Sequence, residues 1–229
     1  MVIAGLQKLS LLDYPDRLCC TVFTAGCNFR CPFCHNSALI PFGAAPALSE
    51  ADFFAFLAER RGRLEAVCLT GGEPLLQPDL PAFIKKLREA GYLVKLDTNG
   101  YRPEKLRRIL AEGLVDYVAM DVKAAPGGYA AAAGVPVDVQ KIEASAALLK
   151  SGAVPYEFRT TAVKGLHTPA DFAAIGRWIR GAPRYFIQQF VDSGAVLSDE
   201  AAPLDPEEMR ACLDAVLPYV PAARLRGLR

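Results

Sequence analysis

The chain has 229 residues, 52% of them hydrophobic, enough for one sizeable α/β core. Its 26 basic and 25 acidic residues leave a net charge of +1, which gives no global pull toward nucleic acid or a membrane surface. No apolar run reaches the ~18 residues of a membrane span, and no basic stretch followed by a long apolar run opens the chain, so neither a spanning helix nor a secretion signal is expected.

Residues 1–17 lead into the first predicted strand, Leu18–Phe23. After it comes Thr24-Ala-Gly-Cys27-Asn-Phe-Arg-Cys31-Pro-Phe-Cys34-His-Asn36, with the spacing C-x3-C-x2-C. Ser49 caps a helix with the stripe Phe53, Phe56, Leu57. The second strand, Ala66–Leu69, runs into Thr70-Gly71-Gly72-Glu73-Pro74, and a helix with Leu80, Phe83, Ile84 and Leu87 ends near Gly91. The third strand, Leu93–Asp97, ends in Asp97-Thr98-Asn99-Gly100. Pro103 then opens a helix with Leu106, Ile109 and Leu110 before Gly113. The fourth strand, Val115–Asp121, ends in Asp121-Val-Lys123. The Ala/Gly/Pro-rich stretch 124–136 reads as a long loop at the same rim. A helix with Val139, Ile142, Ala146 and Leu149 precedes strand five, Tyr156–Thr161, which carries Arg159. Thr168-Pro-Ala-Asp171 and Asp205-Pro-Glu-Glu208 are helix starts on either side of strand six, Tyr185–Phe190, with Gln188-Gln189 near its end.

Six strand–helix units in sequence imply right-handed parallel crossovers. Periodicity leaves two closures open, a doubly wound sheet and a barrel of six units. In either, the polar motifs share the rim at the carboxyl ends of the strands, where sites assemble.

The cysteine run is the most specific signal. An iron–sulfur cube normally takes four thiolates, so three leave one iron open to a ligand. The competing reading is zinc with His35 as fourth ligand, disfavoured because neighbours Cys34 and His35 would strain one tetrahedral ion. An odd count of seven cysteines, three of them clustered, favours a reduced metal site over disulfides. Gly71-Gly72-Glu73 allows close approach of a ligand, with a carboxylate for an ammonium group; the plainer reading is a tight turn with Glu73 at a helix start. Residues 121 and 123 project to one face, as ligands or as an ion pair. Buried Arg159 needs an anion, either a ligand carboxylate or Asp97 or Asp121. Cys19, Cys20, Cys68 and Cys212 lack metal spacing and read as packing, as does Trp178. His167 reads as a surface or capping residue. Arg60-Arg61, Lys85-Lys86 and Arg107-Arg108 read as solvated faces, and the basic tail Arg224, Arg226, Arg229 has no assigned role.

These residues resemble the radical S-adenosylmethionine (SAM) superfamily, through the cysteine run and Gly-Gly-Glu-Pro. Gly5-Leu-Gln-Lys-Leu-Ser-Leu-Leu-Asp-Tyr-Pro15, Leu96-Asp-Thr-Asn-Gly100 and Met120-Asp-Val-Lys123 bring the chain nearest the glycyl-radical-enzyme activases, above all those of anaerobic ribonucleoside-triphosphate reductase. The resemblance covers nearly the whole chain. It implies one domain, 1–229, with a partial TIM-like (β/α)6 barrel open at the side. It implies one [4Fe–4S] cluster on Cys27, Cys31 and Cys34, whose free iron is chelated by SAM. Phe33 would lie against adenine, Gly71-Gly72-Glu73 would receive the ammonium, and Arg159 would face the carboxylate. Asp97, Thr98 and Asp121 match positions that hold a monovalent cation in the pyruvate formate-lyase activating enzyme. His35, Asn99, Lys123 and Gln189 complete the implied cofactor-binding set. Formate-lyase-type activases carry a histidine where this chain has Gln188-Gln189-Phe190. The implied reaction is reductive SAM cleavage to a 5′-deoxyadenosyl radical, which abstracts hydrogen from a glycine of a partner enzyme. The implied partners are that glycyl-radical enzyme and a one-electron donor such as flavodoxin or ferredoxin, in the cytoplasm. The alternatives are the activase of another glycyl-radical enzyme, such as pyruvate formate-lyase, and a small-molecule enzyme similar to 7-carboxy-7-deazaguanine synthase.

Overall fold

The structure is a computed structural model and describes residues 1–192 and 194–228; Arg229 of the basic tail lies outside the described residues. Eight strands form one sheet in sequence order: β1 (Ile3–Ser10), β2 (Cys19–Thr24), β3 (Ala66–Gly71), β4 (Leu93–Thr98), β5 (Tyr117–Asp121), β6 (Tyr156–Ala162), β7 (Tyr185–Gln189) and β8 (Ala223–Arg226). β1 is antiparallel to β2, and every later pair is parallel. The helices are α1 (Glu50–Glu59), α2 (Leu80–Glu89), α3 (Pro103–Ala111), α4 (Tyr129–Ala133), α5 (Val139–Lys150), α6 (Pro169–Trp178) and α7 (Pro206–Val216).

The six predicted strands are β2 to β7, within a residue or two at each end. Two strands were not expected. β1 occupies part of the segment 1–17 read only as a lead-in, and β8 occupies the tail. Both are edge strands without a continuous apolar run: β1 reads IAGLQKLS with its centre exposed, and half of β8 is arginine. Their pairing comes from the neighbouring strand, which no local signal reports. The stretch 124–136 is not a plain loop. It holds a 3-10 turn, Pro126–Gly128, and then α4, which buries Tyr129, Ala132 and Ala133.

Helix starts follow their caps. Ser49 accepts from the Asp52 amide, and Thr168/Asp171 and Asp205/Glu208 form complete capping boxes ahead of α6 and α7. On the outer sheet face Cys20, Val22, Val67, Leu69, Val94, Leu96, Val118 and Met120 are fully buried with Leu57, Ile84, Leu87 and Leu106 of the helices. Burying each large side chain there stabilises by ~2 kcal/mol. The inner face near the strand starts holds a smaller cluster of Tyr14, Cys19, Ala66, Cys68 and Tyr117. Cys19, Cys20, Cys68 and Cys212 are thus packing residues, inside the barrel, outside it, or on α7. Trp178 also packs, edge-on to Tyr129 at 6.1 Å.

The sheet curls, since residues from β1 through β7 line a single cavity. Among the described residues no ladder joins β1 to β8, so the barrel stays open between them. No described helix is long and apolar enough to cross a membrane.

Candidate active site

The cysteine loop runs from β2 across the carboxyl end of the barrel. Gly26 and Cys27 donate backbone hydrogen bonds to Leu39 and Ile40 (2.8 and 3.0 Å). Arg30 N donates to Ala133 O at the end of α4 (2.8 Å). The segment after β7 straps the loop from the other side. Leu197 N and Ser198 N donate to Pro32 O (3.1 and 3.0 Å), and His35 stacks on Phe190 while its Nε2 hydrogen-bonds the Val191 carbonyl (2.7 Å). Cys27, Cys31, Cys34, Phe33 and His35 line a cavity of about 380 Å³. Burial pushes the Cys27 thiol up to about 12 and raises Cys31 as well, so both are neutral thiols in the metal-free chain and must lose protons to bind metal.

Among the described residues, no group of three or more His, Cys, Asp and Glu is placed to hold one metal ion. His35, the fourth ligand a zinc site would take, has its Nε2 already committed to the Val191 carbonyl. A cluster makes no such demand, because each thiolate binds a different iron and the three need only face a common space.

The two glycines after β3 serve the chain's own packing. Gly71 has φ +111°, and a Cβ there would collide with the Thr24 backbone; one on Gly72 would collide with Gly26 O. The contact is used: Gly72 N donates to Thr24 O (2.8 Å) and Glu73 N to Gly26 O (2.9 Å), stitching β3 to the cysteine loop. Glu73 caps the 3-10 turn Pro74–Leu76 and is 1% exposed. Its Oε1 accepts from Leu75 N (3.0 Å) and Thr98 Oγ1 (2.7 Å), and its Oε2 from Asn99 N (2.7 Å). Burial raises its pKa to about 7 despite those donors. Oε2 takes a single donor and keeps acceptor capacity beside the cavity that Glu73 lines. Asn99 joins β4 to the cysteine loop through Asn28 Oδ1 (3.0 Å).

A row of charges crosses the cavity floor. Arg159 bonds the protein's own acids, Nε to Asp121 Oδ1 (2.8 Å) and NH1 to Asp97 Oδ2 (3.1 Å). Lys123 pairs with Asp121 Oδ2 at 3.0 Å. Lys95, which sequence reasoning did not single out, is 2% exposed and pairs with Asp97 Oδ1. Its signal was an ammonium two residues before Asp97 on a buried strand, hence on the same face. Burial would raise Asp121, but Arg159 and Lys123 outweigh it and hold that carboxyl well below the usual range; Asp97 is also lowered. Of Asp97, Thr98 and Asp121, expected to hold a monovalent cation, the two acids therefore present carboxylate oxygens that each already face a protein cation.

His167 is not a surface residue. It is 3% exposed, accepts from Val163 N at Nδ1 (3.1 Å), hydrogen-bonds the Lys123 carbonyl at Nε2 (2.8 Å), and packs edge-on against Phe33. Burial lowers its pKa, so the ring is neutral. It fixes the backbone that follows β5. Gln189 donates to Leu204 O (2.7 Å), while its Oε1 is buried with no partner among the described residues.

The sequence pattern of the radical SAM superfamily matches residues 21–179, a span that takes in the cysteine run, the glycine pair, the charged row and His167. The chain belongs to the radical SAM superfamily. It is 32% identical over 200 residues to a protein of Methanocaldococcus jannaschii provisionally named a glycyl-radical enzyme activating enzyme, covering 82% of this chain and 80% of that one. A 7-carboxy-7-deazaguanine synthase of Methanopyrus kandleri is 32% identical over 43% of this chain and 46% of its own. Among solved structures, Streptococcus suis SuiB bound to its precursor peptide SuiA superposes with a TM-score of 0.72 at 14% identity, over 91% of this chain and 48% of that one. That likeness shows a shared fold. A radical SAM protein uses a [4Fe–4S] cluster and SAM. The donor set here fits them: three thiols face one cavity, and the buried Gln189 Oε1, with no donor among the described residues, sits in its wall.

Proposed function

We propose that this protein is a glycyl-radical-enzyme activase, with anaerobic ribonucleoside-triphosphate reductase as its partner. The observation that carries the reading is the similarity to the Methanocaldococcus jannaschii protein, which covers 82% of this chain and 80% of that one. The opening between β1 and β8 is consistent with it, because a partner's loop needs a lateral way in. A bound [4Fe–4S] cluster and SAM would supply the one-electron radical chemistry that removes a hydrogen atom from a partner's glycine.

The chain's own residues bind and orient. Cys27, Cys31 and Cys34 would hold the cluster. Glu73 offers its spare Oε2 lone pair to an ammonium group, and Arg159 offers positive charge to a carboxylate. Phe33, which packs edge-on against His167, would give adenine a flat apolar wall, and Gln189 Oε1 in the same cavity would accept from an amino group. The charge compensation expected of a monovalent cation falls to the protein's own lysines and arginine. The electron donor is a flavodoxin or ferredoxin, and the site is the cytoplasm, where the seven thiols stay free.

The test is EPR of the anaerobically reconstituted protein with SAM, reductant and the anaerobic reductase. The expected result is a glycyl doublet that disappears in Cys27→Ala, Cys31→Ala and Cys34→Ala, which lose the cluster signal. SAM cleavage without a partner radical, across glycyl-radical enzymes, would overturn the activase reading and favour a small-molecule substrate.

A further inference from the structure

The charged row alternates Lys95, Asp97, Arg159, Asp121, Lys123, with each neighbour in contact with the next. The two acids offer four carboxylate oxygens, and each already faces a protein cation. Asp97 Oδ1 faces Lys95, Asp97 Oδ2 and Asp121 Oδ1 face Arg159, and Asp121 Oδ2 faces Lys123. The nearby Thr98 hydroxyl is also engaged, donating to Glu73 (2.7 Å) and accepting from Gly100 N (3.1 Å). A metal ion placed among these oxygens would have to displace an ammonium or sit beside three fixed positive charges at low dielectric, where like charges repel strongly.

Lys95 is the member that makes the row self-sufficient. Arg159 and Lys123 saturate Asp121 and one oxygen of Asp97; without Lys95 the other oxygen of Asp97 would be a buried anionic acceptor open to a cation. Its other neighbour is Cys68 Sγ at 3.8 Å, a thiol kept neutral by burial, so no second anion competes for the ammonium.

We propose that Lys95 is a built-in counter-cation: its ammonium occupies the place of a monovalent metal ion beside Asp97, so that this protein binds SAM without K⁺ or Na⁺. Lys95 is a positioning residue, acting on the cofactor through Asp97 and Arg159. The inference rests on the proposed SAM site for its cofactor arm and on the chain alone for its ion arm.

Both arms compare potassium, sodium and tetramethylammonium chloride at equal ionic strength. In the cofactor arm, SAM affinity of the reconstituted protein is measured by calorimetry. The wild type is expected to bind within about twofold across the three salts, whereas Lys95→Met binds about tenfold more weakly in tetramethylammonium than in potassium, and Lys95→Arg stays salt-indifferent. In the ion arm, thermal unfolding of the metal-free chain is followed in the same salts. The wild-type midpoint should not depend on which cation is present. A gain of about fivefold or more in wild-type SAM affinity in potassium, or a potassium-specific rise in its midpoint, would overturn the inference whether or not Lys95→Met folds. Failure to bind SAM in every salt would instead count against the SAM reading, and the ion arm would still decide the role of Lys95.

Discussion

Glu73 sits among three neutral donors, the Leu75 and Asn99 amides and the Thr98 hydroxyl, with 1% of its surface exposed. Burial lifts its pKa from 4.5 to about 7. The folded chain therefore binds more protons than the unfolded chain between those values, and stability falls as pH rises through that window. The size of the effect is about 3 kcal/mol, set by the difference between 4.5 and about 7. Asp97 and Asp121 act oppositely: their lowered pKa values add stability above the unfolded value of 3.8, lost only in stronger acid. Urea unfolding is thus expected to show a Glu73-dependent loss of stability from about pH 4.5 to about pH 7, and Glu73→Gln should flatten it. The variant also leaves one of the three donors unpaired, costing about 1–3 kcal/mol at all pH. A slope that survives the substitution would refute the assignment. Glu73 was visible in the sequence as a site residue, but its bracing of β4 to β3 was not, because Thr98 and Asn99 come from a separate strand end.

α4 shows what element-level reading misses and why it matters. The run Tyr-Ala-Ala-Ala-Ala is short and flanked by glycines, so composition alone suggested a loop. Its helix is closed by Gly134 at φ +66°, packed so tightly on the cysteine loop that a Cβ would overlap Arg30 O. Ala133 O also receives the Arg30 amide (2.8 Å). Gly134→Ala should therefore cost ~2 kcal/mol or more and reduce iron retained per chain after reconstitution. Gly152→Ala is the control: it too has positive φ, but nothing lies within 4 Å of its Cβ. It should cost only about 1 kcal/mol of backbone strain and keep full iron loading. Equal iron loss in both variants would mean that the α4 contact does not hold the loop. β1 and β8 were missed for a related reason. An edge strand is specified by the partner that offers it a ladder, and the six inner strands were legible because each is a buried apolar run.

For the whole molecule, the outer core runs continuously under α1 to α7, and of the cysteine loop Phe29, Cys31 and Phe33 belong to it, with Cys27 and Cys34 packed against it. Backbone bonds from residues 39–40, 133 and 197–198 hold the rest of the loop. Removing iron with a chelator should leave far-UV circular dichroism unchanged while hydrogen exchange speeds up at the Cys27, Leu197 and Ser198 amides and not at Val67 to Leu69. Collapse of the whole spectrum would show instead that the cluster is part of the global fold. The sequence by itself determined the α/β class, the six inner strands and the rim on which the motifs fall. It also marked the three cysteines and Glu73, because these features depend on local periodicity and on residue types with one main chemical use. Only the tertiary structure decided that the barrel stays open between β1 and β8, that His167 is buried, and that Arg159 bonds Asp97 and Asp121. It alone brought Lys95 to the remaining Asp97 oxygen. Each of those depends on which distant side chain fills a given space, and three-dimensional packing alone sets that.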